Sequence, residues 1–486
     1  MLATVSAHAP RGLAAAAALT ALGLLAMGCP PDTPWRSALY PLSWFPGWQD
    51  AQGRGLQDFS WAGYARGERP VPSPAGPLVD VTAAPYRADP SGTSDATAAI
   101  QRALDDVGRA GGGVVYLPPG TYRVAPGSAQ AALVIQHSRV VLRGAGPAVT
   151  RLLNTQTAMR LKEVVRVSPF ADRDHWWAWA AGPLTPLARD VHEPTRTIPL
   201  TSVAGLAPGD WVVLRSEVTP AFAQEHGMAG RWDQRHGAIV FYRRVEAVDP
   251  AARTIEVDIP TRYPLLVRDQ AGVHRAPPHL EEVGVEELSI GMQEVDPARL
   301  GDDDWDRPGT TAWEVHASAA LAVNHVVNGW VRNVHSWQPP GNRSGAHLLS
   351  NGICLRAARS ISVEGCELAR PVYRGAGGNG YLFVMQGADN LVRRCRARRG
   401  RHNFSFSLFG STGNVITQCE SEESSLDCDY HQLLSPSNLV DAMLLRKDRW
   451  TAVYRDHAEH GQTATRCVFW NLRGDGFGSL SRRALL

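Results

Sequence analysis

Apolar positions in the C-terminal half recur in step. Val334, Cys366, Cys395, Cys419, Met443 and Cys467 form one row, and its step shortens along the chain and then holds constant from Cys395 to Cys419, Met443 and Cys467. The matching row, always three positions earlier, is Val331, Val363, Val392, Ile416, Val440 and Ala464, and Val285 with Leu288 begins the same pattern upstream. A repeat that keeps small apolar residues aligned predicts stacked coils, each burying its inward side chains against the next at about 4.8 Å. Just before the valine row come Asn390, Asn414, Asn438 and then Gln462. Side-chain amides at that spacing hydrogen-bond along the stack, so they read as a structural ladder at a turn. Cys366, Cys395, Cys419 and Cys467 read as inward core residues, and Cys354 and Cys428 as single thiols. Their spacing matches neither a zinc site nor a disulfide framework.

Nearer the N-terminus the period changes. Ile100, Leu104 and Val107 repeat at helical spacing behind a cap at Ser94 or Asp95, and Gly108 with Gly111–Gly113 ends the helix. Short strands follow at Val114–Leu117 and Tyr122–Val124, around the turn Pro118-Pro119-Gly120, and further strands lie within Leu133–Leu142. The run Ser91-Gly92-Thr93-Ser94-Asp95-Ala96-Thr97-Ala98-Ala99-Ile100-Gln101, with the Gly-rich strand pair after it, resembles the N-terminal cap of the pectate-lyase superfamily. The resemblance is confined to the stretch between Val79 and the turn Arg143-Gly144-Ala145-Gly146, and it departs from the family pattern at Ala96, where an acidic residue is usual. It implies an all-β fold: a single-stranded right-handed parallel β-helix with an N-terminal capping helix. Hydrolases, lyases, epimerases and phage tailspikes share that fold, so it leaves the reaction open.

Residues 155–283 leave the coil period. Thr197–Leu200, Leu206–Leu214, Tyr242–Val248 and Thr254–Ile259 predict a β-rich insertion, with His175-Trp176-Trp177-Ala178-Trp179 as aromatic packing or a sugar-stacking lip. At the start, Arg11 precedes an uncharged apolar run from Gly12 to Met27 that ends at Ala26-Met27-Gly28-Cys29. It is short for a membrane span, suits a signal peptide, and resembles a bacterial lipobox with Cys29 as the lipidated residue. The expected product is an exported protein, either secreted or held at the cell envelope through that lipid anchor alone. The expected organisation is a signal peptide at 1–28, a Pro-rich tether at 29–77, and the cap with its first coils at 78–154. The insertion follows at 155–283, then site-bearing coils at 284–475 and a tail at 476–486.

Composition adds little to this picture but sharpens the ligand. A net charge of +2 over 486 residues leaves no electrostatic footprint for nucleic acid. Lys162 and Lys447 are the only lysines among the 49 basic residues. The bias reads first as base composition, and it also suits an acidic ligand that arginine grips bidentately. Asp302-Asp303-Asp304 with Asp306 reads as a solvated acidic loop, with Ca²⁺ as the alternative. The sequence leaves the oligomeric state open.

The constant register locates candidate chemistry. It places Gly380, Phe404, Cys428 and Ala452 in one inward row and Leu382, Phe406, Tyr430 and Tyr454 in the next. Alternation then points outward Asn379, Asn403, Asp427 and Thr451; Tyr381, Ser405, Asp429 and Val453; Phe383, Ser407, His431 and Arg455; and Met385, Phe409, Leu433 and His457. Asp427, Asp429, His431, Arg455 and His402 are the candidate catalytic residues. Asn403, Arg401, Arg449, Arg374 and His457 are the candidate substrate-binding residues, with His460 in the surrounding turns. The expected partner is an acidic, uronic-acid-containing, pectin-like polysaccharide. Elimination needs a base for the C5 proton and a cation for the carboxylate: His431, His402 or Tyr454 with Arg455 or Arg401. Asp427 and Asp429 could instead hold Ca²⁺, the one cofactor considered. Elimination is the favoured reading. The first alternative is polygalacturonase-like hydrolysis by Asp427 and Asp429, although the chain lacks that family's Asp-Asp pair and Gly-His-Gly tripeptide. The second is a non-catalytic glycan-binding surface β-helix.

Overall fold

The computed structural model describes residues 40–45, 47–51, 55–73, 77–170, 181–192, 194–236, 239–457 and 459–474. The expected signal peptide, the lipobox with Cys29, the aromatic run at 175–179 and the tail lie outside the described residues. No helix among the described residues is long and apolar enough to cross a membrane. Residues 1–56 and 57–486 are separate compact units. In the described part of the first, Trp44 N–H donates to the Pro41 carbonyl, and its ring tilts against Tyr40.

The second unit is a right-handed parallel β-helix built on one 26-stranded sheet. The capping helix Thr97–Arg109 buries Ile100, Ala103, Leu104 and Val107, and the Asp95 carboxylate accepts the Thr97 N–H in its first turn. One apolar row then runs the length of the helix. Val79 pairs with Val115, Val115 with Leu142, Leu142 with Val285, Val285 with Val331, and Val331 with Val363. Val363, Val392, Ile416 and Val440 continue it as the repeat predicts. The amide ladder forms as well. Asn390 Nδ2 donates to Asn414 Oδ1 at 3.0 Å, and Asn414 Nδ2 to Asn438 Oδ1 at 2.9 Å. All six described cysteines are buried.

The last coil corrects the repeat. Val440 pairs with Phe469, not Ala464, and Cys467 sits beneath Asn438, whose N–H meets its Sγ at 3.4 Å. Gln462 is not a rung of the amide ladder. It pairs with Tyr454 in a two-stranded hairpin, Tyr454–Arg455 against Gly461–Gln462. The chain makes a longer excursion here, so a constant step falls out of register.

Two boundaries also move. Residues 57–73, expected in the tether, pack on the helix: Gly63 N–H donates to the Asp389 carbonyl at 2.8 Å and Tyr64 N–H to Ser362 Oγ at 2.9 Å. Gly63 has φ of 99°, and a Cβ there would stand 2.9 Å from Leu391 Cβ, so this close approach requires glycine. The insertion is narrower than 155–283. Strand Glu163–Val167 is a coil strand between Ala131–Ile135 and Ala319–Asn324, and the inserted six-stranded antiparallel sheet runs from Ala181 to Arg275. The module's apolar core, with Phe222, Met228, Trp232 and Phe241, also takes in Phe409, Leu433 and Leu434 from the coils. It therefore rests on the loops that follow the site strands.

Candidate active site

Three strands build the floor of the site: Tyr381–Ala388, His402–Phe406 and Cys428–Tyr430. The middle step obeys the constant register, with Ser405 beside Asp429. The flanking steps do not. Phe383 pairs with Phe404 and Cys428 with Trp450, and both steps are shorter than the repeat. The turns on either side differ in length, and strand pairing follows hydrogen bonds rather than a fixed count. Three assignments change as a result. Phe383 is an inward core residue, not an outward one, and Trp450 replaces Ala452 opposite Cys428. Tyr454 leaves the inward row for the hairpin, where it packs against the inserted module.

Asp429 is the hub. It is fully buried, and its Oδ1 accepts from Ser405 Oγ at 2.7 Å. Its Oδ2 accepts from His431 Nδ1 at 2.9 Å and from Arg455 at 2.6 Å, with His402 Nδ1 at 3.4 Å. Burial alone would raise the carboxyl pKa, but the charges of His402, His431 and Arg455 outweigh it and hold Asp429 ionised well below the usual range. His402 is pushed down to about 4, chiefly by burial, against the pull of Asp429. Its Nδ1 donates to the Asp427 carbonyl at 2.5 Å, and its Nε2 is buried with no hydrogen-bond partner. Tyr381 stacks on the His402 ring at 4.7 Å, and its Oη lies 3.3 Å from His431. Burial and the Asp429 charge keep that phenol protonated, although Arg401 and Arg455 pull the other way. From the hairpin, His460 Nε2 comes within 3.2 Å of His431 Nε2, and His457 Nδ1 within 3.3 Å of His460 Nδ1.

Asp429, His431, His402 and Arg455 therefore meet, with Arg455 arriving from the hairpin rather than through the constant register, and Tyr381 joins them. The remaining candidates divide. Asn403 is a correction. It is fully buried on the strand His402–Phe406, donating to Ser421 Oγ at 2.8 Å and accepting from Gly400 N–H, so it cannot meet a substrate. Asp427 points to Arg449, 3.2 Å away, rather than into the cluster. Arg401 is half-buried and donates to the Gly375 carbonyl, while Arg374 is exposed beside it across Gly380. His457 is exposed at the rim. Sequence reasoning missed the role of Tyr381 because the shortened step that sets it beside His402 is invisible to a constant repeat.

Ca²⁺ does not fit Asp427 and Asp429. It needs six or more oxygens, yet both Asp429 oxygens are already engaged, and one by a guanidinium. Asp427 faces a different arginine. In the acidic loop, Asp304 Oδ1 is 2.9 Å from Arg307. Among the described residues, the group with metal-binding potential is His402, Asp429 and His431, whose ligand atoms lie within 4.8 Å of one another. A cavity of about 750 Å³ lies on the inserted module, lined in part by Pro220, Gln224, Trp232, Gln234 and Arg235.

Fold and site together define a pectate-lyase-like parallel β-helix protein with a buried histidine–carboxylate centre. Residues 81–181 match the family model described as rhamnogalacturonase A/epimerase, pectate lyase-like. Among curated proteins, mannuronan C5-epimerase AlgE6 of Azotobacter vinelandii is 43% identical over 83 residues, 17% of this chain and 9% of that protein. Alginate lyase 7 of the same organism is 48% identical over 63 residues, 13% of this chain and 7% of its own length. The chain thus spans less than a tenth of either relative. Among solved structures, the tailspike protein gp49 from Pseudomonas phage LKA1 covers 83% of this chain and 78% of its own at 9% identity, with a TM-score of 0.38. The A-module of the Azotobacter vinelandii mannuronan C-5 epimerase AlgE6 covers 84% and 98% at 11% identity, with a TM-score of 0.24.

Proposed function

We propose that this chain is an exported enzyme that acts on a uronic-acid-containing polysaccharide by removing the C5 proton and eliminating the O4 substituent. The observation that carries this reading is the fixed tautomer of His431. Its Nδ1–H donates to Asp429 at 2.9 Å, which leaves the Nε2 lone pair as the base. The Tyr381 phenol, kept protonated, stands 3.3 Å away as the acid. Arg455, held on the same carboxylate, and Arg401 supply positive charge to neutralise the substrate carboxylate and acidify C5–H. As the C5–H bond breaks, its electron pair forms C4=C5, the C4–O4 bond breaks, and Tyr381 protonates the departing oxygen.

Two-carboxylate hydrolysis finds less support. Asp429 is ionised, buried and fully hydrogen-bonded, so it is unavailable as a general acid or a nucleophile. The test is incubation of the full chain with alginate and polygalacturonate. Ultraviolet absorbance from the new double bond and a loss of roughly 10²–10⁴ in kcat for Tyr381→Phe are expected. Reducing ends without that absorbance would refute elimination in favour of hydrolysis. Exchange of the C5 proton with solvent deuterium, without cleavage, would refute it in favour of epimerisation. Retention of glycan without any product would leave only binding.

A further inference from the structure

The imidazoles of His431 and His460 meet in a way that the proposed reaction does not need. Each has its Nδ1 committed. His431 Nδ1–H donates to Asp429 Oδ2 at 2.9 Å, and His460 Nδ1–H donates to the His457 carbonyl at 2.8 Å. Both rings are thereby fixed as Nδ1–H tautomers, and both Nε2 lone pairs point into the same space, 3.2 Å apart. Two lone pairs that converge at this distance repel unless a cation lies between them. The separation is also the bite of a tetrahedral ion: two bonds of about 2.0–2.1 Å at a tetrahedral angle span about 3.3 Å. A histidine that binds metal through one nitrogen typically donates its other N–H to a carboxylate or a backbone carbonyl. His431 and His460 supply one instance of each.

We infer that His431 Nε2 and His460 Nε2 form a two-histidine site for a borderline divalent cation of the Zn²⁺ type. Tyr381 Oη, 3.3 Å from His431 Nε2, is the nearest further donor, and water completes the shell. Arg455 is held on Asp429, and His457 meets the opposite nitrogen of His460, so neither occupies the gap. Imidazole ligands favour Zn²⁺, Co²⁺ and Ni²⁺ over Ca²⁺ and Mg²⁺. Resting on the proposed reaction, this site is inhibitory, because the ion takes the lone pair that serves as the base. A proton is the rival occupant of the gap.

The test is a titration of the metal-free full chain with Co²⁺, followed by its visible spectrum, and with Zn²⁺ by calorimetry, both without substrate. One ion per chain, with tetrahedral Co²⁺ bands, is expected. His460→Gln and His431→Gln should each weaken binding roughly tenfold or more, and His460→Gln should keep the wild-type melting profile. In a uronate-cleavage assay, Zn²⁺ should inhibit the wild-type chain, and His460→Gln should lose a smaller fraction of its own metal-free activity at the same Zn²⁺ concentration. No saturable binding by the wild-type chain, or undiminished binding by both variants, would overturn the site. Saturable, His460-dependent binding in a chain that cleaves no uronate would support the site while refuting the elimination reading.

Discussion

At the scale of single residues, Asp429 concentrates the chemistry and the risk. A carboxylate with no exposure is tolerated because four groups converge on its two oxygens. Asp429→Asn keeps the shape but leaves Arg455 and the two imidazoles without their anion. It should lower kcat by roughly 10²–10⁴ and destabilise the fold by about 3–5 kcal/mol, read from turnover and from urea unfolding. His402 carries a separate pH signature. It is neutral in the folded chain down to about pH 4, whereas an unfolded histidine takes up its proton near pH 6.5. The unfolded state therefore binds more protons across that window, and stability falls as pH drops from about 6.5 to 4, by on the order of 3 kcal/mol. Melting temperatures over this range should fall less steeply in His402→Phe than in the wild-type chain. The Asp429 contribution has the same sign but is lost at lower pH, below the ordinary carboxylate range.

At the scale of elements, coil and hairpin follow different rules. The valine row and the amide ladder were legible from the chain alone because each coil repeats the same inward contacts at a constant step. Asn414 shows how strongly that step is held. Its Oδ1 accepts both the N–H and Nδ2 of Asn390, and its own Nδ2 reaches Asn438, all with no exposure to solvent. Asn414→Ala removes those partners and should cost about 1–3 kcal/mol, measured by denaturant unfolding with an unchanged m-value. The site strands were only partly legible. Ser405 beside Asp429 was in register, whereas Tyr381 beside His402 and Trp450 beside Cys428 were not. The hairpin that delivers Arg455 and His460 has no counterpart in the earlier coils, so no repeat could announce it.

At the scale of the whole molecule, the inserted module holds that hairpin in place. Trp232 Nε1 donates to the Glu459 carbonyl at 2.6 Å, Arg231 bonds Asp456, and Met228 lies against Gly461. The module is tied to the coils by buried ions as well. Asp389, without solvent exposure, accepts from Arg243 and Arg262, each at 2.9 Å, while Arg359 bonds Asp258. Asp389→Ala leaves two buried guanidinium groups without their anion and should destabilise the chain by roughly 3–5 kcal/mol, seen as a lowered melting temperature. The sequence by itself determined the stacked coils, the capping helix, the inward cysteines and the outward face bearing Asp429 and His431. Those features depend on local periodicity, which the order of residues carries directly. Only the tertiary structure decided that Tyr381 and His460 complete the site, that Asn403 and Asp427 stand apart from it, and that the module braces its hairpin. Those relations depend on turn lengths and on contacts between segments far apart in the chain, and no periodic signal encodes either.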